Sequence, residues 1–194
     1  MRVISGTLKG KRLFSTKGLK LRPTSDRVRE SIFDILQHEI TGTRVLDLFA
    51  GTGALGIEAL SRGGERAVFV EKSSASLNAL KKNIALCGLE THTEILPKEV
   101  PSAIKALETR RECFNLIFLD PPYAKGLAYQ TLEILGRSSI VAPGGLIVAE
   151  HAPTEPLDGF RGLEAVDRRK YGGTLVSFFR QIRTEAETEA HPIE

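Results

Sequence analysis

Segments with two different patterns of apolar residues alternate along most of the chain. Short, nearly continuous apolar runs predict buried strands, and apolar residues that recur at helical spacing predict helices between those strands. The strands are expected at 45–49, 67–70, 91–96, 114–119 and 146–150, and the helices at 28–40, 54–61, 73–86, 99–108 and 127–135. Strands that alternate with helices in this way predict an α/β fold with a mostly parallel sheet covered on both faces.

Both ends of the chain predict hairpins instead. Residues 2–5 and 12–15 are joined through two glycines, which predicts a small N-terminal β-hairpin. Residues 164–171 and 174–182 flank a Gly-Gly turn, which predicts an antiparallel hairpin at one edge of the main sheet. We therefore expect a seven-stranded sheet that is parallel except at its C-terminal hairpin.

The length of the chain, together with this order of elements, predicts one domain with a small N-terminal extension. A chain of 194 residues is long enough for one sizeable core and too short for two full α/β domains. The expected parts are a basic hairpin extension over 1–23, a main domain over 24–183 and a flexible acidic tail over 184–194.

Composition narrows the class of protein. With 41% hydrophobic and 26% charged residues, the chain has the composition of a soluble globular protein. No apolar run has the length of a membrane span, and the N-terminus lacks the apolar segment of a signal peptide. Cys87 and Cys113 are not spaced as metal ligands. We therefore expect a cytoplasmic protein that binds neither a membrane nor a metal.

Positive charge is concentrated at the N-terminal end. Residues 1–30 contain nine Lys or Arg and two acidic residues, a net charge of +7. Such a block is typical of contact with a phosphate backbone, although a solvated surface shows the same pattern. The candidate phosphate contacts are Arg2, Lys9, Lys11, Arg12, Arg22, Arg27 and Arg29.

A glycine-rich loop follows the first predicted strand. The segment 51–56, GTGALG, matches the spacing of the dinucleotide-binding fingerprint. Asp47 precedes it, and a carboxylate there opposes the pyrophosphate of NAD but suits a cation. S-adenosylmethionine carries an amino group and a sulfonium and has no phosphate, so the loop favours this cofactor over the NAD of the alternative, a dehydrogenase.

Glu71 ends the second predicted strand, where an acidic side chain can accept hydrogen bonds from ribose hydroxyls.

The tetrapeptide Asp120-Pro121-Pro122-Tyr123 follows the fourth predicted strand. Its two prolines stiffen the backbone, so the Asp120 carboxylate and the adjacent carbonyls are held in place. A conjugated amine is a poor nucleophile, and acceptors that bind its hydrogens direct its lone pair towards an electrophile. With Tyr123 as a stacking surface, the motif predicts chemistry on a planar amine. The alternative is an ordinary turn at the end of a strand.

In order and position, DLFAGTGALG, Glu71 and DPPY resemble the class I S-adenosylmethionine-dependent methyltransferases. Nearly the whole chain resembles, more narrowly, the bacterial 16S rRNA guanine-N2 methyltransferase family known as RsmD. The segments that carry this resemblance are RVISGTLKGKRL, LRPTSDRVRESIFDIL, DPPYAKG and YGGTLVSFF. The resemblance implies a Rossmann-like fold whose site lies between the ends of the first and fourth strands. It also implies methyl transfer from S-adenosylmethionine to N2 of one guanine in 16S rRNA, within the small ribosomal subunit or its assembly intermediate. We separately expect the protein to be a monomer.

The resemblance also implies roles for residues that match the family's motifs. The cofactor would be held by Asp47, Phe49, Ala50, Gly51, Gly53, Glu71, Lys72, Glu99 and Asp120. The guanine would be positioned by Asp120, Pro121 and Tyr123, and Arg22, Thr24 and Arg27 would contact RNA near the site. After the third strand, Pro97-Lys98-Glu99 stands where related enzymes often carry Asp or Asn, so Glu99 is the expected substitute contact for the adenine amine.

Two alternatives to this function remain open. DPPY is also similar to the motif of adenine-N6 DNA methyltransferases and of protein glutamine methyltransferases. Only about forty residues precede the core, which is little for a domain that reads DNA bases in the major groove. The other alternative is a non-catalytic RNA-binding assembly factor, which the intact Asp47, Glu71 and DPPY disfavour.

Overall fold

The computed structural model describes residues 1–15, 26–122 and 126–182. Its helices and strands, in chain order, are α1 (Asp26–Ile35), β1 (Arg44–Leu48), α2 (Ala54–Ser61), β2 (Arg66–Val70), α3 (Ser74–Cys87), β3 (Thr93–Leu96), α4 (Val100–Thr109), β4 (Phe114–Leu119), α5 (Leu127–Leu135), β5 (Val141–His151), β6 (Leu163–Tyr171) and β7 (Thr174–Gln181). The strands form a seven-stranded, mostly parallel sheet with an antiparallel C-terminal hairpin. This confirms the predicted fold class.

The chain divides into two compact units, Met1–Ala103 and Ile104–Glu194. In the first unit β1 and β3 each pair in parallel with β2, so the strand order is β3-β2-β1. The side chains of Val45, Leu46 and Phe69 are fully buried, as are most of their neighbours on β1 and β2. Burial on both faces explains why these strands are continuous apolar runs in the sequence.

In the second unit the strand order is β4-β5-β7-β6. The pair β4 and β5 is parallel, whereas β7 runs antiparallel to both β5 and β6. Gly172 begins the turn between β6 and β7 with a φ of 60°, a conformation that glycine adopts without strain. The predicted C-terminal hairpin is therefore present at this edge.

The bounds of α2, β4 and α5 agree with the sequence-based prediction, and most other elements are offset by a single residue at one or both ends, but three elements differ by more. Helix α1 ends at Ile35 rather than near residue 40, because the chain turns through a hydrogen bond from the Glu39 N–H to the Leu36 carbonyl. Strand β3 begins two residues late, because 90–92 form a short 3-10 helix. Strand β5 begins five residues early, and its Pro-Gly-Gly segment lies within the strand as an irregularity in the pairing with β4.

The predicted N-terminal hairpin is reduced to a single antiparallel bridge between Arg2 and Arg12. Hydrogen bonds from the Val3 N–H to the Lys11 carbonyl and from the Leu13 N–H to the Met1 carbonyl, at 2.9 and 3.2 Å, flank this bridge. The ladder does not continue, because side chains of α2 and α3 bind the backbone groups that would extend it. Both predicted strands are therefore wrong in extent, although the two segments lie side by side.

Within the described residues, no helix combines the length and the apolar character that crossing a membrane requires. The same residues contain no group of three or more His, Cys, Asp or Glu that could hold a metal ion. The proposed boundary at residue 23 and the proposed acidic tail over 184–194 lie outside the part of the chain that the structure describes.

Candidate active site

The loop between β1 and α2 has an unusual backbone conformation. Phe49 has a φ of 61°, and Gly51 and Gly53 have φ values of 56° and 83°. A Cβ atom on Gly53 would lie 2.4 Å from the Leu80 side chain, so this position requires glycine for both its conformation and its packing. A non-glycine residue with positive φ is uncommon and often marks a functional site, and Phe49 stands in a loop predicted to bind a cofactor.

Glu71 follows β2 directly and binds the glycine loop. Its Oε2 accepts a hydrogen bond from the Gly51 N–H at 2.8 Å, and its Oε1 accepts one from the Ser73 N–H at 2.7 Å. Each carboxylate oxygen has a second lone pair and can accept a further hydrogen bond. Glu71 is half-buried, and its backbone partners hold its carboxylate in place, so it can receive the hydroxyls of a ribose.

Asp47 lies on β1, one residue before the strand ends, and is almost completely buried. Its Oδ2 accepts a hydrogen bond from the Gly56 N–H in α2 at 3.0 Å. Burial raises the pKa of Asp47 to about 7, against the effect of the Gly56 hydrogen bond and with a smaller contribution from the negative charge of Glu71. A cation close to Asp47 would offset this cost of burial and favour the ionised carboxylate.

The positions of Asp47 and Glu71 indicate which cofactor the glycine loop can bind. Asp47 and Glu71 lie at or after the carboxyl ends of the paired strands β1 and β2, and the charge of Glu71 is felt at Asp47. Glu71 suits the ribose of either cofactor, whereas the Asp47 carboxylate beside the glycine loop disfavours a pyrophosphate. Together, the two carboxylates suit a ligand that has a ribose at one end and a cationic amino acid at the other. The residues present therefore fit S-adenosylmethionine better than a dinucleotide.

Lys72 and Glu99, which were both predicted to contact the cofactor, form an ion pair with each other. The Lys72 Nζ lies 2.9 Å from Glu99 Oε1 and also bonds Glu99 Oε2 at 3.2 Å, and both side chains are mostly exposed. Glu99 therefore stands next to the loop that carries Glu71. Its role as the contact for the adenine amine stays a prediction, as does that of Lys72.

In the second unit, β4 ends at Leu119 and is followed by Asp120-Pro121-Pro122. Asp120 is half-buried, Pro121 is buried and Pro122 is exposed. A carboxylate thus stands at the carboxyl end of a parallel strand, which is where ligands bind in open α/β sheets. Tyr123, the predicted stacking residue, lies outside the described residues.

Glu155 is a residue near this motif that the sequence analysis missed. Its Oε1 accepts a hydrogen bond from the N–H of Gly126, the residue just before α5, at 3.1 Å. Its carbonyl in turn bonds the buried His151 Nδ1 at 2.9 Å, and His151 Nε2 bonds Ser177 Oγ at 2.9 Å. Gly126 is therefore connected, through Glu155 and His151, to the end of β5 and the middle of β7. No periodicity in the sequence indicates this contact.

The predicted RNA contacts separate into three groups. Five of them have exposed side chains and remain candidates, namely Arg2, Lys9, Lys11, Arg12 and Arg27. Arg22 and Thr24 lie outside the described residues. Arg29 is fully buried, and its guanidinium donates to the Arg2 carbonyl and to Asp26 Oδ1. This corrects the prediction for Arg29: its positive charge faces internal oxygen atoms, so we exclude it from the RNA contacts.

Two buried polar residues that the sequence analysis missed connect the N-terminal segment to the glycine loop and its helix. The Glu58 carboxylate accepts from the N–H groups of Ile4 and Ser5 at 2.8 and 2.9 Å. The Asn83 side chain binds both the N–H and the carbonyl of Phe14 and also donates to the Thr52 carbonyl. Both residues are polar positions inside otherwise apolar helix faces, and this was the available signal.

The chain matches known proteins along most of its length. Residues 1–180 match the family model described as "Conserved hypothetical protein 95". The chain is 38% identical to the Bacillus subtilis (strain 168) protein named "Putative rRNA methyltransferase YlbH", over 93% of this chain and 99% of that protein. It is 32% identical to the Escherichia coli (strain K12) protein named "Ribosomal RNA small subunit methyltransferase D", over 98% of this chain and 94% of that protein.

A solved structure shows the same relationship. The structure titled "Putative methyltransferase yhhF from Escherichia coli" is 31% identical to this chain and superposes with a TM-score of 0.82. The likeness covers 94% of this chain and 98% of that one. Sequence and fold agree along nearly the whole length, and the chain therefore belongs to the RsmD family, that of the small-subunit ribosomal RNA methyltransferases D.

Proposed function

We propose that this protein transfers a methyl group from S-adenosylmethionine to the exocyclic N2 of a guanine in the 16S rRNA of the small ribosomal subunit. The observation that carries the proposal is the whole-length similarity to a protein named for small-subunit rRNA methylation. The guanine-N2 position is the finer part, and it rests on the resemblance of the DPPY motif to that of the family. We propose a cytoplasmic enzyme that acts as a monomer.

The residues of the first unit bind the cofactor in this proposal. Glu71 accepts hydrogen bonds from the ribose hydroxyls, and the ionised Asp47 attracts the amino group of the methionine part. Gly51 and Gly53 let the backbone approach the ligand closely, because neither has a side chain in the way. When bound, S-adenosylmethionine supplies the methyl group, whose bond to sulfur breaks as its bond to the guanine N2 forms.

The residues of the second unit activate the amine. The Asp120 carboxylate and a carbonyl of the adjacent prolines accept hydrogen bonds from the guanine NH2 group, which directs the N2 lone pair and stabilises the positive charge that develops there. The N2 proton then leaves to Asp120 or to water. Because the target base must leave its stack, the exposed basic residues of the N-terminal segment, Arg2, Lys9, Lys11 and Arg12, hold the neighbouring phosphates.

The names of the relatives do not favour the alternatives of an adenine-N6 DNA methyltransferase or a non-catalytic assembly factor. The deciding experiment measures transfer of radiolabelled methyl from S-adenosylmethionine to unmodified small ribosomal subunits, free 16S rRNA and duplex DNA, followed by nucleoside analysis. We expect N2-methylguanosine in the rRNA. Labelled N6-methyladenine in DNA would replace the proposal with the first alternative, and cofactor binding without any transfer would replace it with the second.

A further inference from the structure

Phe14 is a large apolar side chain that the fold holds at the surface. Its side chain is 52% exposed. Its backbone, in contrast, is fixed by the buried Asn83, whose Oδ1 accepts from the Phe14 N–H at 2.7 Å and whose Nδ2 donates to the Phe14 carbonyl at 3.1 Å. An exposed aromatic ring on a fixed backbone loses little conformational freedom when it contacts a partner.

One lysine lies beside this ring, and a second lysine binds the same helix one turn further on. The Lys82 Nζ lies 5.9 Å from the centroid of the Phe14 ring, within the range of a cation–π contact. The Lys11 Nζ donates to the carbonyl of Leu86 at 3.0 Å, and the Leu86 side chain is itself 44% exposed. Phe14, Lys11, Lys82 and Leu86 therefore make up one exposed patch, which we call the Phe14 surface.

The charge of the two elements that build the Phe14 surface identifies its partner. Residues 1–15 contain Arg2, Lys9, Lys11 and Arg12 and no acidic residue, and α3 contains Lys81 and Lys82 and no acidic residue. A partner on this surface must therefore be anionic and must also offer a flat face to the aromatic ring. A single-stranded or looped RNA offers both, because its bases can stack on an aromatic side chain while its phosphates lie against lysines.

We propose that a base of the substrate RNA stacks on Phe14 while Lys11 and Lys82 bind the phosphates beside it. This inference rests on the proposed function and deepens it, since it names a contact that holds the RNA strand through α3 as well as through the N-terminal segment. The contact has a direct connection to the cofactor loop, because the Nδ2 of the same Asn83 donates to the Thr52 carbonyl at 2.9 Å.

The test measures binding of the full-length protein to fluorescein-labelled oligouridylate by anisotropy across a series of salt concentrations. Phe14→Ala and Phe14→Leu should each lower the affinity about tenfold without changing the salt dependence, because stacking on an aromatic ring is lost and no charge changes. Phe14→Tyr should bind like the wild type. Lys82→Gln should lower the affinity and reduce the slope of log K against log salt by about 0.7, the contribution of one phosphate contact on a single strand.

Two controls make these results specific. Lys105→Gln removes an exposed lysine from α4, outside the Phe14 surface, and should leave affinity and slope at their wild-type values. Each Phe14 variant keeps the backbone groups that Asn83 binds, and an unchanged rise in Tm with S-adenosylhomocysteine shows that the fold and the glycine loop are intact.

Wild-type binding by Phe14→Leu would overturn the stacking contact, and an equal loss in Lys105→Gln and Lys82→Gln would overturn the assignment of the phosphates. Tighter binding to duplex DNA, with the same dependence on Phe14, would replace RNA as the partner.

Methyl transfer by the wild-type protein to small ribosomal subunits is measured separately. If transfer occurs and Phe14 does not matter for RNA binding, the proposed function stands and this inference is wrong. If Phe14 matters and no transfer occurs, the proposed function is wrong.

Discussion

The Asn83 side chain donates a hydrogen bond to the carbonyl of Thr52, at 2.9 Å, from inside the core. Thr52 lies in the glycine loop, and Asn83 belongs to the middle of α3. The same amide group binds both backbone groups of Phe14, so both of its donor hydrogens are used within the protein. One buried side chain thus connects the proposed cofactor loop to the N-terminal segment that carries the proposed RNA contacts.

Asn83→Ala should lower the free energy of unfolding by roughly 2 to 4 kcal/mol, because three backbone groups lose their hydrogen-bond partner. It should also weaken binding of S-adenosylhomocysteine, since the glycine loop loses an anchor. Urea unfolding and calorimetric titration measure the two effects. Asn78→Ala, on the exposed face of the same helix, is the matched control and should change stability by less than about 0.5 kcal/mol. Equal stability of the two variants would contradict the bridging role.

Glu58 holds the beginning of the chain in a similar way. Its carboxylate accepts from the Ile4 and Ser5 N–H groups and from Arg62 Nε, and its Oε2 lies 3.9 Å from the buried Arg29 Nε. Glu58→Ala should cost about 3 to 5 kcal/mol, because the buried Arg29 guanidinium loses its buried counter-charge and keeps only the half-exposed Asp26 carboxylate. Hydrogen exchange should show that the Ile4 and Ser5 amides lose their protection.

Asp34→Ala is the control for Glu58→Ala, because Asp34 lies 4.0 Å from the same Arg62 but is 69% exposed. A solvated ion pair of this kind contributes little, so the free energy of unfolding should change by less than about 1 kcal/mol. If both variants lose the same stability, the fixing of the N-terminal segment by Glu58 is wrong.

Helices and strands that consist of dense apolar segments were the ones that the sequence predicted well. The bounds of α2, β4 and α5 were predicted correctly, because each is a dense apolar segment with Gly, Pro or a charged residue close to its ends. Arg29 was placed wrongly. The concentration of positive charge put it among the phosphate contacts, but its charge is stabilised by Glu58, which is 29 positions away in sequence and cannot be paired with it by periodicity.

The same reasoning explains which parts of the site could be predicted. Asp47, Glu71 and the glycine loop follow from strand ends and spacing, which are local properties of the sequence. Asn83 and Glu155 act through contacts with distant backbone groups, and nothing in their own segments shows which groups those are. A polar residue within an apolar helix face was nevertheless a usable signal for Asn83, since its neighbours Leu80, Ile84 and Cys87 are buried.

The raised pKa of Asp47 predicts a pH dependence of stability. Because the folded protein holds the Asp47 proton with a pKa of about 7 and the unfolded chain with a pKa near 3.8, the contribution of Asp47 to stability is most favourable at low pH and falls as pH rises from about 4 to about 7. The loss amounts to about 4 kcal/mol above pH 7. Asp47→Asn keeps an oxygen for the Gly56 N–H and removes the charge.

Asp47→Asn should therefore be more stable than the wild type without cofactor, and its advantage should be about 2 to 3 kcal/mol larger at pH 8 than at pH 5. Urea unfolding at the two pH values measures this difference. The variant should also bind S-adenosylhomocysteine more weakly at pH 8, because the α-amino group of the ligand loses its counter-charge. A stability difference that does not change with pH would show that Asp47 is ionised throughout this range.

Glu71→Ala should weaken binding of S-adenosylhomocysteine by roughly 10- to 100-fold, since two charge-assisted hydrogen bonds to the ribose hydroxyls are lost. Calorimetric titration gives the affinity directly. Glu65→Ala, an exposed acidic residue just before the amino end of the same strand, is the control and should bind like the wild type. Adenine alone, which has no ribose, should bind both variants equally. A loss that is the same for adenine would indicate a general collapse of the loop rather than a missing ribose contact.

Asp120→Asn tests the chemistry with the smallest possible change in shape. The amide replaces one acceptor oxygen with an NH2 group, which opposes the hydrogens of the guanine amine and removes the negative charge that stabilises the developing positive charge. We expect methyl transfer to small ribosomal subunits to fall roughly 100- to 1000-fold. The rise in Tm with S-adenosylhomocysteine should be largely retained, because the other proposed cofactor contacts lie on the glycine loop and Glu71. Asp158→Asn, 64% exposed in the same unit, should transfer methyl groups at the wild-type rate. An unchanged rate in Asp120→Asn would remove the carboxylate from the mechanism and leave the backbone carbonyls of the prolines as the acceptors that align the amine.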